Sequence, residues 1–368
     1  MRSLRLVVHA LDRTGPPVLA RSLLRWLRSE HGDIDVDVVA FRGGELLHDI
    51  ARLAPVRVAL DPEEDWDVEH PSSERIDQLA HRLGELPAVD ASLLVSVSSG
   101  AALPLLGGET GPIVTWAVEQ EEPFPPGLVD RTDLWLGGSN GTVENLRRRL
   151  PAGTPMGLAP EFVEPSAHLT VPERRRLRLA LGAGPDEILV LGAGIATHRK
   201  APDLFAEVAL ACARRNDARF RFAWLGGERD PLFHAVRDES ARLGLDRLRL
   251  HGSVPDVTPW FAAADVFLHP ARFDAFPLVC LHAANAGTPV LAFSGAGGVT
   301  EMFGPTFRGA PYPDVVGLTD QLLSLADPAA RRAVAAAQQA HVVQRYLADV
   351  AAPALLEQVR PIAGVPQP

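Results

Sequence analysis

Lysine is almost absent from this 368-residue sequence, because all but one of the 36 basic residues are arginine. The exception is Lys200. A compact ammonium group fits close to a phosphate, where the broad planar guanidinium of arginine is harder to accommodate. Chance placement of one lysine is the alternative, but its position inside a basic motif argues against chance. Lys200 is therefore a candidate for a contact with phosphate.

Cysteines and long apolar runs are also scarce. The only cysteines, Cys212 and Cys280, fall inside predicted helices, which argues against a disulfide framework and favours a reducing compartment. No apolar run reaches the roughly 18 residues that a membrane-spanning helix needs. The N-terminal basic residues precede only a short apolar stretch interrupted by His9, which predicts a first strand and not a signal peptide. We expect a cytoplasmic protein without a transmembrane segment.

The sequence also lacks the patterns of nucleic-acid and metal sites. The formal net charge is −10 and no basic run occurs, so nucleic acid is not an expected partner. The histidines show no metal-ligand spacing and the cysteines are not paired, so no metal and no other cofactor is predicted.

What the sequence does contain is a regular alternation of short apolar runs with helical segments. The predicted strands are Leu4–His9, Ile34–Phe41, Val56–Ala59, Ala91–Val97, Pro112–Ala117, Asp133–Gly138, Ile188–Leu191, Phe220–Leu225, Leu248–His251, Val266–His269 and Val290–Phe293. Alternation of this kind predicts parallel, doubly wound sheets. The expected fold class is therefore α/β, with two Rossmann-like domains that face each other across a cleft.

Composition suggests where these domains begin and end. Residues 1–160 form the predicted N-terminal domain, and residues 185–340 form the predicted C-terminal domain. Between them, residues 161–184 are expected to be a linker and an entry helix, because the surrounding stretch 151–172 contains five prolines and little periodicity. The Ala-rich tail from Pro328 to Val359 is expected to be helical, and residues 341–368 are expected to form the C-terminal helix.

The stretch from Ala264 to Glu301 carries the strongest functional signal. It predicts a buried strand, a helix opened by Phe276 and Pro277, a second strand, and a glycine loop over Ser294–Gly298. Helix N-termini and glycine loops after parallel strands hold phosphates in α/β proteins, because N–H groups and the helix dipole point at the anion. This stretch therefore predicts an anion-binding site.

Part of this stretch, RFDAFPLVCLHAANAGTPVLAFSGAGG, resembles the nucleotide-binding signature of family 4 retaining glycosyltransferases in its R-E-D-P-F-P-L-V variant. The resemblance is specific over residues 185–303 and diffuse over residues 1–170. It implies the glycosyltransferase B (GT-B) fold, with the donor bound mainly by the C-terminal domain and the acceptor by the N-terminal domain. It also implies that the C-terminal helix within 341–368 crosses back to the first domain.

Asp274 and His282 stand where the commoner form of the signature has two glutamates. By resemblance, the first carboxylate contacts hydroxyls of the donor sugar, and the second accepts hydrogen bonds from both ribose hydroxyls. Asp274 keeps the charge on a side chain one methylene shorter. A neutral imidazole offers one donor and one acceptor, so His282 can replace only part of what the glutamate does.

A second motif, Gly192–Phe205, resembles the R-K-G-x-D-L-F element in which arginine and lysine hold the donor diphosphate. Arg199 and Lys200 match this element, and Ala201 replaces its glycine. Two cations just ahead of a helix would stabilise the charge that grows on a leaving diphosphate. Lys200, Arg199 and Asp274 are therefore the expected catalytic residues.

Further substrate contacts are expected by resemblance. Gly15, in the turn after the first strand, is a candidate for backbone approach to the donor sugar, and an ordinary turn is the alternative. Glu119 matches a glutamate that faces the acceptor, although Val118 replaces the preceding histidine. Ser253 and Val254 fall in a loop near the nucleotide base. The backbone at the start of the predicted helix would contact the diphosphate through Phe276, Pro277, Leu278 and Val279.

The expected function is retaining, metal-independent transfer of a sugar from a nucleotide-sugar donor to an unidentified acceptor. One alternative is a relative that binds a nucleotide sugar or a partner without transfer, as the change to His282 permits. A nucleotide-sugar epimerase shares the fold but needs carboxylates that we cannot place here. A nicotinamide oxidoreductase is disfavoured, because the glycine motif at 192–197 lacks its third glycine. The next strand also ends in two glycines, with no acidic residue that closes it at the expected distance.

Overall fold

Two compact units make up the chain in the computed structural model, which describes residues 1–64, 72–107, 111–120, 122–166, 168–215, 217 and 219–363. The first unit comprises Met1–Glu164 and Tyr346–Pro368, and the second unit comprises Pro165–Arg345. The main chain of Val163 joins the two segments of the first unit. Its N–H donates to the carbonyl of Tyr346 (2.9 Å), and its carbonyl accepts from Ala348 (3.0 Å).

The first unit is organised around a parallel sheet. Its strands are β1 (Ser3–Ala10), β2 (Asp35–Arg42), β3 (Val56–Leu60), β4 (Ala91–Val95), β5 (Ile113–Ala117), β6 (Leu134–Gly137) and β7 (Met156–Leu158). Their order over the described residues is β3-β2-β1-β4-β5-β6-β7, and neighbouring strands are parallel. The order reverses between β1 and β4, and ligands of such sheets bind outside the carboxyl ends of the strands at this switch point.

The second unit repeats this arrangement with a shorter sheet. Its strands are β8 (Ile188–Ala193), β9 (Phe220–Leu225), β10 (Leu248–Leu250), β11 (Val266–His269), β12 (Val290–Ser294) and β13 (Gly309–Pro311). Their order over the described residues is β10-β9-β8-β11-β12-β13, again with parallel neighbours. The switch point of this sheet lies between β8 and β11.

Helices connect most of the strands. In chain order they are α1 (Gly15–Glu30), α2 (Leu47–Ala51), α3 (Ser73–Leu83), α4 (Leu128–Arg131), α5 (Asn140–Arg149), α6 (Val171–Ala180), α7 (Pro202–Arg214), α8 (Pro231–Arg242), α9 (Thr258–Ala263), α10 (Leu278–Asn285), α11 (Val299–Phe303), α12 (Val315–Ser324), α13 (Pro328–Arg345) and α14 (Ala348–Val359), with 3₁₀ helices at Val97–Leu105 and Gly304–Thr306. No helix within these described ranges is both long and apolar enough to cross a membrane.

The central strands are apolar because helices cover both faces of each sheet. Every residue of β4 and of β5 is buried. In the second unit, Phe205 of α7 packs edge-to-face on Phe222 and Trp224 of β9, with ring centroids 5.7 and 5.5 Å apart. This aromatic contact fixes the start of α7, and so also the loop that carries Lys200.

The predicted fold class, two parallel α/β domains, is confirmed. Local differences from the prediction occur at short or irregular segments. The three-residue strands β7 and β13 were not predicted, since each contains a glycine and β13 also ends in a proline. Helix α10 begins at Leu278, two residues later than predicted, because Pro277 has an extended backbone and acts as the N-cap. The helical tail breaks at Tyr346 and Leu347, where the chain passes into the first unit.

Candidate functional site

The switch point of the second sheet brings the two predicted motifs together. Strand β8 ends at Ala193 and leads through a loop to Arg199 and Lys200, just before α7. Strand β11 ends at His269, and the loop after it carries Asp274. Because the carboxyl ends of parallel strands lie at the same edge of a sheet, these two loops meet there.

Asp274 lies at the centre of the resulting cluster. Its Oδ2 atom accepts a hydrogen bond from the Lys200 ammonium, and its Oδ1 atom lies 3.4 Å from a guanidinium nitrogen of Arg199. Asp274 is 7% exposed, whereas the side chains of Lys200 and Arg199 are 17% and 45% exposed. The structure therefore places the three predicted catalytic residues in direct contact, with the carboxylate innermost.

His269 joins this cluster, although it was absent from the sequence-based prediction. Its Nε2 atom lies 3.3 Å from Oδ2 of Asp274, without the alignment of a hydrogen bond. The imidazole is buried, and its ring stacks on that of Phe267 with centroids 6.4 Å apart. A sequence signal did exist, since His269 is a polar residue at the end of an otherwise apolar strand beside the switch point.

The charges of the cluster follow from these contacts. Burial raises the pKa of Asp274, but the opposite effects of Lys200, His269 and Arg199 are larger. The pKa of Asp274 is therefore well below the usual range. Burial is the main reason why the pKa of His269 is lowered, and Asp274 opposes that shift. At neutral pH Asp274 is therefore ionised and His269 is neutral. Together with the two cations, the cluster carries one net positive charge.

Arg272 ties the two loops to each other. Its guanidinium donates to both carboxylate oxygens of Asp203 (2.9 and 2.5 Å) and to the carbonyl of His198 (2.9 Å). Its main-chain N–H donates to the carbonyl of Arg199 (2.9 Å). A bidentate arginine–carboxylate pair fixes orientation as well as distance. These bonds therefore hold the basic residues in position relative to Asp274.

The glycine loop after β12 supports the backbone of Asp274. The N–H of Asp274 donates to the carbonyl of Ala296 (2.9 Å), and the N–H of Gly298 donates to the carbonyl of Asp274 (2.9 Å). A Cβ atom at Gly297 would lie 2.0 Å from the carbonyl oxygen of Asp274, and one at Gly298 would lie 2.0 Å from that of Ala275. The glycines are therefore required for close packing against the backbone of the site.

Ala201 has the backbone conformation that explains the glycine of the resembled motif. Its φ and ψ angles are 58° and 53°, which is the left-handed region. An L-residue pays roughly 1–2 kcal/mol for this conformation, whereas glycine adopts it freely. The replacement of glycine by alanine therefore strains the turn that follows Lys200.

Helix α10 begins four residues after Asp274. Phe276, Pro277 and Leu278 are buried and Val279 is half-buried. The first N–H groups of a helix have no acceptor within the helix, and they form the positive end of its dipole. The predicted backbone contacts at residues 276–279 therefore coincide with the N-terminal end of a helix.

Cys280 shows that the first turn of α10 lies close to the cluster. Burial is the main cause that raises the pKa of its thiol well above the usual range, Asp274 raises it further, and Lys200 lowers it. The cysteine is buried and reduced, and such a thiol is inert at neutral pH.

The remaining predicted residues of the second unit have other neighbours. The ring of His282 is half-buried and stacks almost parallel on that of Phe261, with centroids 6.2 Å apart and an interplanar angle of 7°. Ser253 donates from both its N–H and its hydroxyl to one oxygen of Glu228, at 2.8 and 2.6 Å. Val254, the next residue, is half-buried. The polar groups of Ser253 are therefore bound to a carboxylate of the neighbouring loop.

Two predicted residues belong to the first unit. Gly15 is the exposed first residue of α1. Glu119 follows β5, and one of its carboxylate oxygens accepts a hydrogen bond from the N–H of Val97 (3.3 Å). Burial raises the pKa of Glu119 to about 7, against the opposing effect of the hydrogen bonds from Val97 and Ser96. Glu119 therefore titrates near neutral pH.

Within the described part of the chain, no group of three or more histidine, cysteine, aspartate or glutamate side chains is arranged to hold a metal ion. Cations of the protein itself provide the positive charge near Asp274.

Comparison with known proteins places this geometry in context. Residues 185–327 match the family described as glycosyl transferases group 1. This region contains Arg199, Lys200, His269 and Asp274. The match thus covers the part of the chain that forms the cluster.

Curated relatives also match parts of the chain. It is 34% identical over 127 residues to the D-inositol 3-phosphate glycosyltransferase of Paenarthrobacter aurescens, covering 32% of this chain and 30% of the relative. It is 27% identical over 161 residues to the lipopolysaccharide core biosynthesis mannosyltransferase LpsB of Rhizobium meliloti, covering 43% of this chain and 45% of the relative. The chain thus spans less than half the length of these two relatives.

A solved structure is similar over almost the whole chain. The complex of Anabaena Alr3699/HepE with UDP-glucose superposes with a TM-score of 0.78 at 15% identity, covering 98% of this chain and 99% of that one. At this identity the likeness establishes the fold, which is that of GT-B glycosyltransferase structures. The comparisons together support a glycosyltransferase of the GT-B fold.

Proposed function

We propose that this protein is a family 4 glycosyltransferase that transfers a sugar from a nucleotide-sugar donor with retention of configuration and without a metal ion. The observation that carries the proposal is the contact of Lys200 and Arg199 with buried Asp274 at the switch point of the second sheet. The match of residues 185–327 to a glycosyltransferase family supports it, as does the likeness to a protein solved with UDP-glucose.

Lys200 and Arg199 would bind the diphosphate of the donor. The cluster has one net positive charge, and a diphosphate anion would be attracted to it more strongly as charge grows on the leaving group. The N-terminal end of α10, at Phe276, Pro277, Leu278 and Val279, would add N–H donors and the positive end of the helix dipole. These groups would supply the charge stabilisation that a divalent cation gives in metal-dependent transfer.

Asp274 would orient the donor sugar by accepting hydrogen bonds from its hydroxyls. Its low pKa keeps it ionised at neutral pH, so it is suited to accept hydrogen bonds and unsuited to act as an acid. The proton of the attacking hydroxyl would then pass to the leaving phosphate. His269 would pack beside the carboxylate on the core side.

The other predicted residues would complete donor and acceptor binding. Ser253 would contact the nucleotide base through its carbonyl, because its N–H and hydroxyl are bonded to Glu228, and Val254 would do so through its backbone. His282 would bond one ribose hydroxyl. In the first unit, Gly15 would approach the donor sugar and Glu119 would face the acceptor. The names of the relatives point to unlike acceptors, an inositol phosphate and a lipopolysaccharide core, so the acceptor has to be identified independently.

A second candidate is a relative that binds nucleotide sugars without transferring them. The observation that favours it is His282, which replaces the second glutamate of the signature and stacks on Phe261. Such a protein would bind nucleoside diphosphates and release no product from nucleotide sugars.

The test is release of nucleoside diphosphate from a panel of nucleotide sugars, beginning with UDP-glucose, in the presence of a chelator. We expect release by the wild type and a loss of about 10- to 100-fold in Lys200→Ala, since a charge-assisted hydrogen bond is worth roughly 1.5–3 kcal/mol. Arg237→Ala is the matched control, because Arg237 is an exposed residue of α8 paired only with its neighbour Asp238 among the described contacts. Equal rates for Lys200→Ala and wild type would refute the assignment of Lys200. Binding of a nucleoside diphosphate without release from any sugar would identify the second candidate.

A further inference from the structure

A cavity of about 300 Å³ lies in the second unit, lined by residues of α7, of α8 and of the turn that follows α8. Its volume is at the lower end of the range for small-molecule sites. The walls include the apolar side chains of Leu210, Val236 and Leu245, and Leu243 borders the cavity with 49% of its surface exposed. A ligand with an apolar body would remove this surface from water.

A buried hydroxyl in this cavity has no partner. Ser240 of α8 lines the cavity and is 7% exposed. Its carbonyl accepts a hydrogen bond from the N–H of Leu245 (2.9 Å), whereas its hydroxyl makes no hydrogen bond to any residue that the structure describes. Burial of a hydroxyl without a hydrogen bond is unfavourable, and such a group calls for an explanation. A polar ligand atom in the cavity would provide the missing partner.

Carboxylates outnumber cations around the cavity. Asp203 and Glu207 line it from α7, and because they are four residues apart they lie on one face of that helix. Glu239 lines it from α8 and is paired with Arg242, which also lines the cavity. Glu207 is exposed and has no ion pair with any described residue. The excess of negative charge favours a cationic ligand over a nucleotide or another anion.

Asp203 connects this cavity with the donor cluster. Both of its carboxylate oxygens accept hydrogen bonds from Arg272, and the main-chain N–H of Arg272 donates to the carbonyl of Arg199. A carboxylate has about four lone-pair sites, so Asp203 can accept from a ligand and from Arg272 together. A cation bound there would repel the guanidinium of Arg272 and weaken the bonds that hold the two loops together.

We propose that the cavity between α7 and α8 binds a small organic cation with an apolar body, and that this binding opposes binding of the donor diphosphate. Glu207 and Asp203 bind the ammonium group, the apolar walls contact the body of the ligand, and Ser240 bonds a polar atom at its other end. The site itself goes beyond the proposed function. Its opposition to diphosphate binding rests on that function.

The experiment is saturation-transfer NMR of the full chain with tyramine, which carries an ammonium group and a phenol on one apolar body. Tyrosol is the neutral analogue, with a hydroxyl in place of the ammonium, and hydroxyphenylpropionate is the anionic analogue. We expect tyramine to bind about tenfold more tightly than tyrosol, because the ammonium makes charge-assisted hydrogen bonds. The propionate should bind more weakly than either.

Three variants test the residues of the cavity. Glu207→Gln should remove most of the preference for tyramine over tyrosol, whereas Asp238→Asn is the matched control, because Asp238 is an exposed residue of α8 paired with Arg237. Ser240→Ala should weaken tyramine more than phenethylamine, which lacks the phenol oxygen. Ala235→Trp should abolish binding of all the probes, since Ala235 is an exposed residue at the cavity and the larger side chain would occupy it.

Calorimetric titration with UDP tests the opposition to diphosphate binding. In the wild type, saturating tyramine should raise the Kd for UDP several-fold. In Ala235→Trp the Kd for UDP should match that of the wild type without tyramine and should not respond to tyramine. The variant therefore separates an effect through the cavity from direct competition at the donor cluster.

Equal affinities of the wild type for tyramine and tyrosol would overturn the proposed site, as would equal tyramine affinities of Ala235→Trp and the wild type. An unchanged Kd for UDP in the presence of bound tyramine would overturn the opposition. Failure of the proposed function would look different, because UDP would then not bind even without tyramine, and the tyramine titrations alone would decide whether the cavity is a site.

Discussion

Asp274 in the second unit and Glu119 in the first unit are carboxyl groups at the same edge of similar sheets, and their pKa values shift in opposite directions. Both carboxyls are buried, although Glu119 as a residue is partly exposed. At Asp274 the effect of burial is outweighed by Lys200, His269 and Arg199. At Glu119 burial prevails, because the opposing partners are the neutral donors of Val97 and Ser96 and the neighbouring Glu122 raises the pKa further.

The difference shows that the sheet determines where each carboxyl lies, whereas the neighbouring loops determine its pKa. The strand order brings Asp274 to the switch point of the second sheet, whereas in the first sheet Glu119 follows β5 and contacts the segment that follows β4. The neighbouring loop determines whether the pKa of the carboxyl is lowered, so that it stays ionised, or raised, so that it exchanges protons near neutral pH. In the second unit that loop brings Lys200 and Arg199, and in the first unit it brings Ser96 and Ser98.

The largest effect is expected when Asp274 loses its closest cation. Lys200→Ala leaves a buried carboxylate with fewer partners, and we expect a loss of about 3 kcal/mol in the free energy of unfolding. Urea denaturation at neutral pH measures it. The double variant Lys200→Ala/Asp274→Asn should recover much of the loss, because the uncompensated charge is gone. An unchanged free energy for Lys200→Ala would mean that Asp274 does not depend on Lys200.

Glu119→Gln should produce a smaller effect that depends on pH. The folded-state pKa of Glu119 is raised to about 7, so the folded protein binds more protons than the unfolded chain between the ordinary glutamate pKa and about pH 7. Stability is therefore full at acidic pH and is lost as pH rises through about 7. The glutamine variant lacks this loss. Its free energy of unfolding should therefore be higher than that of the wild type by on the order of 2–3 kcal/mol at pH 8, and equal to it at pH 4.

Denaturation of both proteins at the two pH values tests this expectation, with Glu122→Gln as the matched control on the exposed side of the same loop. A stability difference of equal size at pH 4 and pH 8 would show that the pKa of Glu119 is the same in the folded and the unfolded protein.

The smallest effect is expected from adding a carboxylate to the second unit. In His282→Glu, a glutamate can accept both ribose hydroxyls where the histidine accepts one. Donor affinity should then increase several-fold, which corresponds to about 1 kcal/mol for one net hydrogen bond. Calorimetric titration with UDP compares the variant with the wild type. Weaker binding would indicate that the histidine serves a donor of another shape, and equal binding would place residue 282 outside the site.

Much of this architecture follows from local sequence patterns. The alternating apolar runs predicted the two parallel sheets, because buried parallel strands are apolar on both faces. The motifs around Lys200 and Asp274 predicted two loops that the structure brings into contact. The short edge strands β7 and β13 could not be predicted, since three residues with glycine or proline carry no strand pattern.

Features that depend on tertiary neighbours could not be predicted from the sequence. The part played by His269 depends on which strand lies beside β8, and Ser253 is bound by Glu228 from a loop 25 residues away. The positive φ angle of Ser96 gives no local signal at all, because serine is an ordinary residue after a strand. Lys200 was expected to contact phosphate, and its ion pair with Asp274 became visible only when both loops were placed.

The close packing of the glycine loop against Asp274 also has a consequence for the entropy of binding. The main chain of Asp274 is bonded on both sides, to Ala296 and Gly298, and its carboxylate is held by cations. Ordering a mobile side chain on binding costs about 0.5–1.5 kcal/mol. Asp274 is ordered when the protein folds, so little of that cost falls on ligand association. A ligand that meets this carboxylate therefore encounters a rigid hydrogen-bond acceptor, and its affinity reports the strength of the contact itself.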